Sequence, residues 1–331
     1  MTNRKLKGMA LGLTLVLSLG MLAGCGGEKK AEQKKTVKVG IVQLVEHAAL
    51  DAANKGFVDG MAANGFKEKE NVTYDRQNAQ ADQSNLQNIA QRFVSNKVDL
   101  ICAIATPSAQ TMANATKDIP IVGTAITDYE AAKLVASNKE PKGNVTGTTD
   151  MNPIKEQAEL MLKIVPQAKT VGAIYSSSEV NSQIQIKILK EVLAAKNIKV
   201  VEATVSTVND IQQAAQSLVG KVDAVYAPTD NVIASAMPTL IGITNEAKIP
   251  VFCGESGMLK AGGIATVGID YYKLGVQTGA MAARILSGKA KPAAMPIESQ
   301  KEMQTVVNEE AAKKLGIVIP ADVIKAAKGS K

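Results

Sequence analysis

From Thr36 onward, short β-branched runs alternate with stretches whose apolar residues recur at helical spacing. That alternation predicts strands and helices in turn, and so a parallel sheet covered by helices on both faces. Strands are expected at Val37 to Leu44, Val72 to Gln77, Asp99 to Ala105 and Ile119 to Ile126. Helices are expected at Leu50 to Asn64 and Asn85 to Val94, with Gly65 closing the first as a C-cap. A second block repeats the order: strand Thr170 to Tyr175, helix Ile184 to Lys196, strand Ile198 to Val205, helix Asp210 to Leu218, then strands Val222 to Ala227 and Ile249 to Cys253.

The repetition extends to detail. Val98-Asp99-Leu100-Ile101-Cys102-Ala103 matches Val222-Asp223-Ala224-Val225-Tyr226-Ala227, each followed by a Pro/Thr turn and a helix. Lys117-Asp118-Ile119-Pro120-Ile121 matches Ala247-Lys248-Ile249-Pro250-Val251 in the same way. Two similar, doubly wound parallel-sheet lobes joined by a hinge are therefore expected, with a cleft between them. In open parallel sheets the functional groups collect where strands end.

The residues after the predicted strands form a polar set rich in hydroxyls and amides. Gln43, Glu46, Thr106, Ser108, Thr127, Asp128, Ser177, Ser178, Asn181, Ser182, Asp230, Asn231 and Glu255 are the candidate ligand contacts. Such groups suit a neutral or zwitterionic ligand, with a helix start for a carboxylate and an acid for an ammonium. Ser108 and Ser178, which open helices, are the candidates on the carboxylate side, and Asp230 is the candidate for the ammonium. Each of these residues can equally be an ordinary N-cap, so the set carries the inference rather than any member. His47 reads as a loop residue or a contact at the cleft edge.

Composition removes several classes of function. One histidine and no glycine-flanked elbow serine leave a hydrolytic relay with His47 as its sole imidazole base. No His pair at helical spacing and no Cys-x-x-Cys signals a metal, and the glycines match neither a dinucleotide fingerprint nor a P-loop, so no cofactor is expected. Lysines alternate with acids and aromatics make up only 3%, which gives no face for nucleic acid. Cys102 and Cys253 sit in apolar strand-like runs assigned to different lobes and read as small buried residues rather than a disulfide.

The front of the chain has a separate logic. Arg4, Lys5 and Lys7 precede an uncharged stretch from Gly8 to Leu22, about 15 residues, too short for a permanent span and suited to a cleaved leader over residues 1–24. Leu22-Ala23-Gly24-Cys25 resembles a bacterial lipobox, which makes Cys25 the expected lipidation site. The small, charged residues 25–36 then read as a flexible tether, and the acyl chains as the membrane anchor on the extracytoplasmic face.

Several strand-end segments also resemble a known family: Gln43-Leu44-Val45-Glu46-His47, Ala105-Thr106-Pro107-Ser108-Ala109-Gln110, Tyr175-Ser176-Ser177-Ser178-Glu179-Val180-Asn181-Ser182, Pro228-Thr229-Asp230-Asn231 and Gly268-Ile269-Asp270-Tyr271-Tyr272-Lys273-Leu274-Gly275. Together they are similar to the TrpX-like substrate-binding lipoproteins of ABC transporters. The resemblance implies a type I periplasmic-binding fold, a monomer that is not an enzyme, and an amino-acid ligand, tryptophan or another aromatic one. It implies delivery to a separate permease and ATPase, and it adds Asp270 to the contact set. Crossings between lobes are implied near Ala125 to Met151, Ile269 and Ser299. Lobe one would hold residues 37–127 and 270–298, lobe two 150–269 and 299–331, with 128–149 as the crossing. Branched-chain amino acids, purine nucleosides and small sugars stay open as ligands, as does a sensor that reports occupancy to a receptor.

Overall fold

The computed structural model describes residues 36–329, and these belong to one compact unit. The leader, Cys25 and the tether as far as residue 35 lie outside the described residues.

Lobe one is built on a six-stranded parallel sheet. Its strands are β1 (Val37–Gln43), β2 (Val72–Asn78), β3 (Leu100–Ile104), β4 (Ile121–Ile126), β5 (Val145–Thr149) and, at the edge, Glu298–Ser299. Their spatial order is β2-β1-β3-β4-β5 and then the edge strand. Lobe two carries β6 (Thr170–Ser176), β7 (Lys199–Val205), β8 (Ala224–Ala227) and β9 (Val251–Cys253). These lie in the order β7-β6-β8-β9, all parallel. The first four strands of each lobe thus share one topology, in which the second strand lies outside the first and the third returns to its other side. Beside the second sheet, β10 (Ala265–Gly268) pairs antiparallel with Gln304–Val307.

The segment 128–149, expected as a crossing, instead ends as β5 on the sheet of lobe one. The first crossing is the short stretch 150–153, which leads into α4 (Ile154–Ile164). Val145-Thr146-Gly147-Thr148-Thr149 looks polar, yet Val145, Thr146 and Thr148 are buried. Its hydroxyls are consumed internally: Thr146 Oγ1 donates to Met295 O at 2.8 Å, and Thr148 Oγ1 to Thr124 Oγ1 at 3.3 Å. A threonine strand satisfied in this way packs like an apolar one.

Lobe one carries α1 (Ala48–Ala63), α2 (Gln83–Ser95) and α3 (Thr106–Ala115). Lobe two carries α5 (Val180–Ala194), α6 (Ile211–Leu218), α7 (Asn231–Ser235) and α8 (Met237–Glu246). After β10 the chain returns to lobe one as α9 (Tyr271–Leu286), which lies against α1. Glycines fix that return. A Cβ on Gly56 would come within 2.1 Å of Tyr272 O, and one on Gly275 within 2.1 Å of Ala53 O. Gly60 and Gly279 make equally close approaches, so the two backbones touch where side chains would hold them apart.

One core cluster fills lobe one around Ile41, Phe57, Phe93 and Ile101, and two fill lobe two, around Leu189 with Tyr226 and around Leu240 with Val251. Val180 of α5 packs against the lobe-one core, so the lobes are in contact. Cys102 and Cys253 are free and buried, in β3 and β9 of different lobes.

Candidate functional site

In each sheet the order reverses at one point, between β1 and β3 in lobe one and between β6 and β8 in lobe two. Loops leaving such a switch point diverge and open a crevice. The two crevices face each other and enclose a narrow cavity of about 10 Å³, lined by His47, Leu50, Ala125, Thr127, Asp150, Asn181, Thr229, Asp230, Asn231, Glu255 and Tyr271.

Three chain crossings frame the cavity, at 150–153, 269–270 and 300–303, and they are tied to one another. Asn152 Nδ2 donates to Gly254 O at 2.9 Å while its Oδ1 accepts from Ile269 N at 3.1 Å. Gln300 Nε2 donates to Asp270 O at 2.6 Å. Across the cleft, His47 Nε2 meets Asn231 Oδ1 at 3.2 Å and Gln185 Nε2 reaches Thr127 Oγ1 at 3.4 Å. The lobes are closed on one another.

Four buried carboxylates surround the cavity. Asp150 accepts from Thr127 Oγ1 at 3.1 Å and from Tyr271 Oη at 2.7 Å. Burial raises its pKa against those two bonds. Asp230 accepts from Ser176 N and Ser182 Oγ at 2.6 Å each and from Ile233 N at 2.8 Å. Its pKa is also raised by burial. Glu179 accepts from Asn181 Nδ2, Asn231 N, Asn231 Nδ2 and Val232 N, and burial pushes it up to about 8. Glu255 caps the turn at Gly257 and Met258, and burial pushes it up to about 7. No described lysine or arginine lines this cavity, so a cation entering it meets acidic side chains without a competing protein cation.

The opposite requirement appears at the start of α3. Its N-cap position is Ala105, with φ +82° and ψ 153° and no side-chain cap. Thr106 Oγ1 and Ser108 Oγ are buried without a hydrogen-bond partner. The first-turn N–H groups of a helix lack intrahelical partners, and its dipole favours an anion there. Beside it Ala125 has φ +55° in a bulge of β4 against β5. Such positions cost roughly 1–3 kcal/mol and gather at ligand sites.

Of the residues expected from the sequence, Thr127, Asn181, Asp230, Asn231 and Glu255 line the cavity, and Thr106 and Ser108 stand on the next strand end. The others are placed elsewhere. Gln43 is held by Asp51 and Asn54, and with Glu46 it lines an open groove over α1. Asp128 caps a turn at Glu130 and Ala131. Ser177 and Ser178 are exposed, and Ser178 Oγ bonds Ser176 Oγ at 2.9 Å, which removes it from the carboxylate side. Ser182 serves Asp230. Asp270 caps α9 through Lys273 N. Asp230, expected to hold an ammonium, already accepts three hydrogen bonds as the N-cap of α7.

Residues missing from the expected contacts are Asp150, Tyr271 and Thr229, while His47, read as a loop residue or a contact at the cleft edge, lines the cavity. Asp150 is hidden in the sequence because residues 128–149 read as a crossing between lobes; once Val145–Thr149 is taken as a strand, Asp150 is its strand-end acid. Among the described residues no group of His, Cys, Asp and Glu could hold a metal ion, and no helix is long and apolar enough to cross a membrane.

Two lobes that share one topology and close over a cavity at paired switch points define a binding protein rather than a catalyst. The family described as ABC transporter substrate binding protein matches residues 38–331, and the chain belongs to it. It therefore takes a small-molecule ligand, works on the extracytoplasmic side, is not an enzyme and has the type I periplasmic-binding fold. A "tyrosine-binding protein" of Clostridioides difficile is 45% identical over 320 residues, covering 94% of this chain and 92% of that one. A domain from Streptococcus pneumoniae in complex with L-Trp is 41% identical, covers 88% of this chain and 99% of that one, and superposes with a TM-score of 0.86. A ligand-free, open structure of a substrate binding protein with adhesive properties from Clostridium difficile is 48% identical over 86% of this chain and 97% of that one, yet its TM-score is 0.66. Identity ranks the two structures one way and superposition the other. The chain superposes more closely on the L-Trp complex than on the ligand-free, open form.

Proposed function

We propose that the chain captures an aromatic L-amino acid between its lobes and delivers it to an ABC permease and ATPase, as a monomer anchored to the membrane by lipid on Cys25. The observation that carries the ligand reading is the pairing of opposite needs at neighbouring strand ends of one cleft. Buried carboxylates Asp150 and Glu255 suit an ammonium, while the uncapped start of α3, with its unpartnered Thr106 and Ser108 hydroxyls, suits a carboxylate. At about 10 Å³ the closed cavity is far below the roughly 300–1,000 Å³ of small-molecule sites, so the lobes part to admit an amino acid and close around it. Leu50, Ala125 and Tyr271 supply apolar surface for a side chain. The relatives with tyrosine and L-Trp in their descriptions point to an aromatic one.

The test is a thermal-shift and calorimetry screen of the purified full chain against the twenty amino acids, nucleosides and common sugars. A ligand at 100 times its Kd stabilises the protein by about 2.7 kcal/mol. Tyrosine or tryptophan should give that shift, and a shift given by a nucleoside or sugar alone would replace the amino-acid reading. The anchor is tested separately by labelling cells with palmitate, which should mark the wild type and not Cys25→Ala.

A further inference from the structure

Glu179 sets the polarity of one wall of the cavity. Every group that touches it is a donor: Asn181 Nδ2 at 2.8 Å, Asn231 Nδ2 at 2.6 Å, Asn231 N at 3.3 Å and Val232 N at 3.2 Å. Both asparagine amides therefore turn their NH₂ groups to the carboxylate, and their Oδ1 atoms point away as acceptors. Asn231 Oδ1 lies 3.2 Å from His47 Nε2, so Nε2 must carry the proton. In a neutral imidazole the other nitrogen is then a bare acceptor. Burial lowers the pKa of His47 and keeps the ring neutral. His47 is partly exposed as a residue, but its Nδ1 is buried and has no partner. Asn181 Oδ1 is buried and unpartnered in the same way. Both residues line the cavity beside Leu50.

Buried acceptors rarely stay unpaired, so the ligand must bring a donor to them. An ammonium is matched better by Asp150 and Glu255, whose formal charge compensates a cation as neutral acceptors cannot. The donor left for His47 and Asn181 is an uncharged one.

We propose that His47 Nδ1, with Asn181 Oδ1, accepts a hydrogen bond from the ring of the ligand, a phenolic O–H or an indole N–H, and so selects against a plain phenyl ring. This deepens the aromatic amino-acid reading above and rests on it. Glu179 is the positioning residue behind the selection, since its carboxylate fixes both amides and through Asn231 the imidazole tautomer. A site built to bond a donor rejects an analogue lacking it, because the buried acceptors are then stranded.

The chain has a single histidine, so one pair of imidazole nitrogens appears in a ¹⁵N-histidine spectrum of the tag-free full chain. Spectra are compared for complexes with L-tyrosine, L-tryptophan and L-phenylalanine. The Nε2–H tautomer is expected throughout, with Nδ1 displaced toward its hydrogen-bonded position by tyrosine or tryptophan and left in place by phenylalanine. Calorimetry should show the preferred ring held at least about tenfold more tightly than phenylalanine, a ratio that collapses to within about twofold in His47→Leu. Loss of the His47–Asn231 bond alone would weaken all three ligands equally, and that result overturns the proposal. So does a proton on Nδ1, or a wild type that binds all three alike. Binding of none of the three overturns the substrate reading itself, and this proposal with it.

Discussion

After the third strand of its sheet each lobe turns straight into a helix, through Ala105-Thr106-Pro107-Ser108 in lobe one and Ala227-Pro228-Thr229-Asp230 in lobe two. The two turns descend from the same repeated pattern, yet they treat the helix start differently. In lobe two Asp230 supplies its own carboxylate, capping α7 at Ile233 N and tying β6 through Ser176 N. In lobe one no side chain caps α3, Ala105 sits in a backbone region that favours glycine, and two hydroxyls are stranded. One helix start is finished by a side chain of the protein and the other is not, and under the proposed function an anion of the ligand completes it. A duplicated fold thus acquires a polar axis: lobe one leaves donors unpaired and lobe two, with Asp150 from the crossing, surrounds the cavity with acids. A zwitterion satisfies both ends at once and has most to gain from closure, which is how ligand shifts a two-lobed equilibrium.

The sharpest way to break this comparison is to exchange the parts given to Asp150 and Asp230. Asp150→Ala should leave the lobes folded but weaken ligand by about 2–5 kcal/mol, roughly 30- to 4,000-fold in Kd, because it strips charge from the ammonium's end. Asp230→Ala should act on stability instead, losing a cap and leaving Ser176 N without its partner, at a cost of about 2–3 kcal/mol in urea unfolding. Were calorimetry to find Asp230→Ala stable and unable to bind, with Asp150→Ala nearly silent, the assignment of the two acids would be reversed.

A subtler change gives lobe one the solution used by lobe two. Ser108→Asp places a carboxylate in the first turn of α3, where the dipole favours it, and it should exclude the ligand's own carboxylate. Affinity should fall more than about tenfold while the apo protein melts no lower. Ser108→Ala removes one neutral hydrogen bond, about 1 kcal/mol or roughly fivefold. Equal small losses in the two variants would mean that the anion does not bind at α3.

The acids of lobe two also predict how the empty closed protein responds to pH. Glu179 is pushed from 4.5 to about 8 and Glu255 from 4.5 to about 7, burial being the first cause in each case. A folded pKa above the unfolded one means that the folded form holds a proton the unfolded chain has released. Stability from these groups is therefore complete below about pH 4.5 and is lost as pH rises through 7 and 8. The melting temperature should decline by a few degrees over that window, and less so with an ammonium-bearing ligand bound. A flat profile would show that the acids are relieved by opening of the lobes.

How much of this could be read from the chain follows the same divide. Strands rich in Val and Ile announced themselves, and the matched Val98 and Val222 segments disclosed the duplication, because an apolar run bounded by polar turns has few other meanings. Val145–Thr149 did not, since its threonines bond to threonines of neighbouring elements and to carbonyls that no hydropathy pattern records, and Asp150 was lost with it. The strand-end rule found Thr106, Ser108, Asn181 and Glu255 as candidates, but it could not tell a finished cap from an unfinished one. Asp230 and Ser108 look alike in sequence; only the partners at Ser176 N and Ile233 N, present for one and absent for the other, separate them.

The smallest effect tests whether strain belongs to the ligand face of lobe one. Ala105 is held at φ +82° and ψ 153°, a region that is glycine's own and costs other residues roughly 1–3 kcal/mol. The corresponding turn of lobe two has no residue at positive φ among Pro228, Thr229 and Asp230. Ala105→Gly relieves the strain but adds freedom to the unfolded chain, worth about 0.4–1 kcal/mol against it. The net expectation is a gain near 1 kcal/mol, or about 2–4 °C in Tm. Affinity should not rise with it, because the turn that aims the α3 N–H groups becomes more mobile as it becomes less strained. The mirror change in lobe two, Ala227→Gly, relieves no positive φ and should only destabilise. A lower Tm for Ala105→Gly, matching that of Ala227→Gly, would mean that the two turns are energetically alike and that strain does not mark the side on which ligand binds.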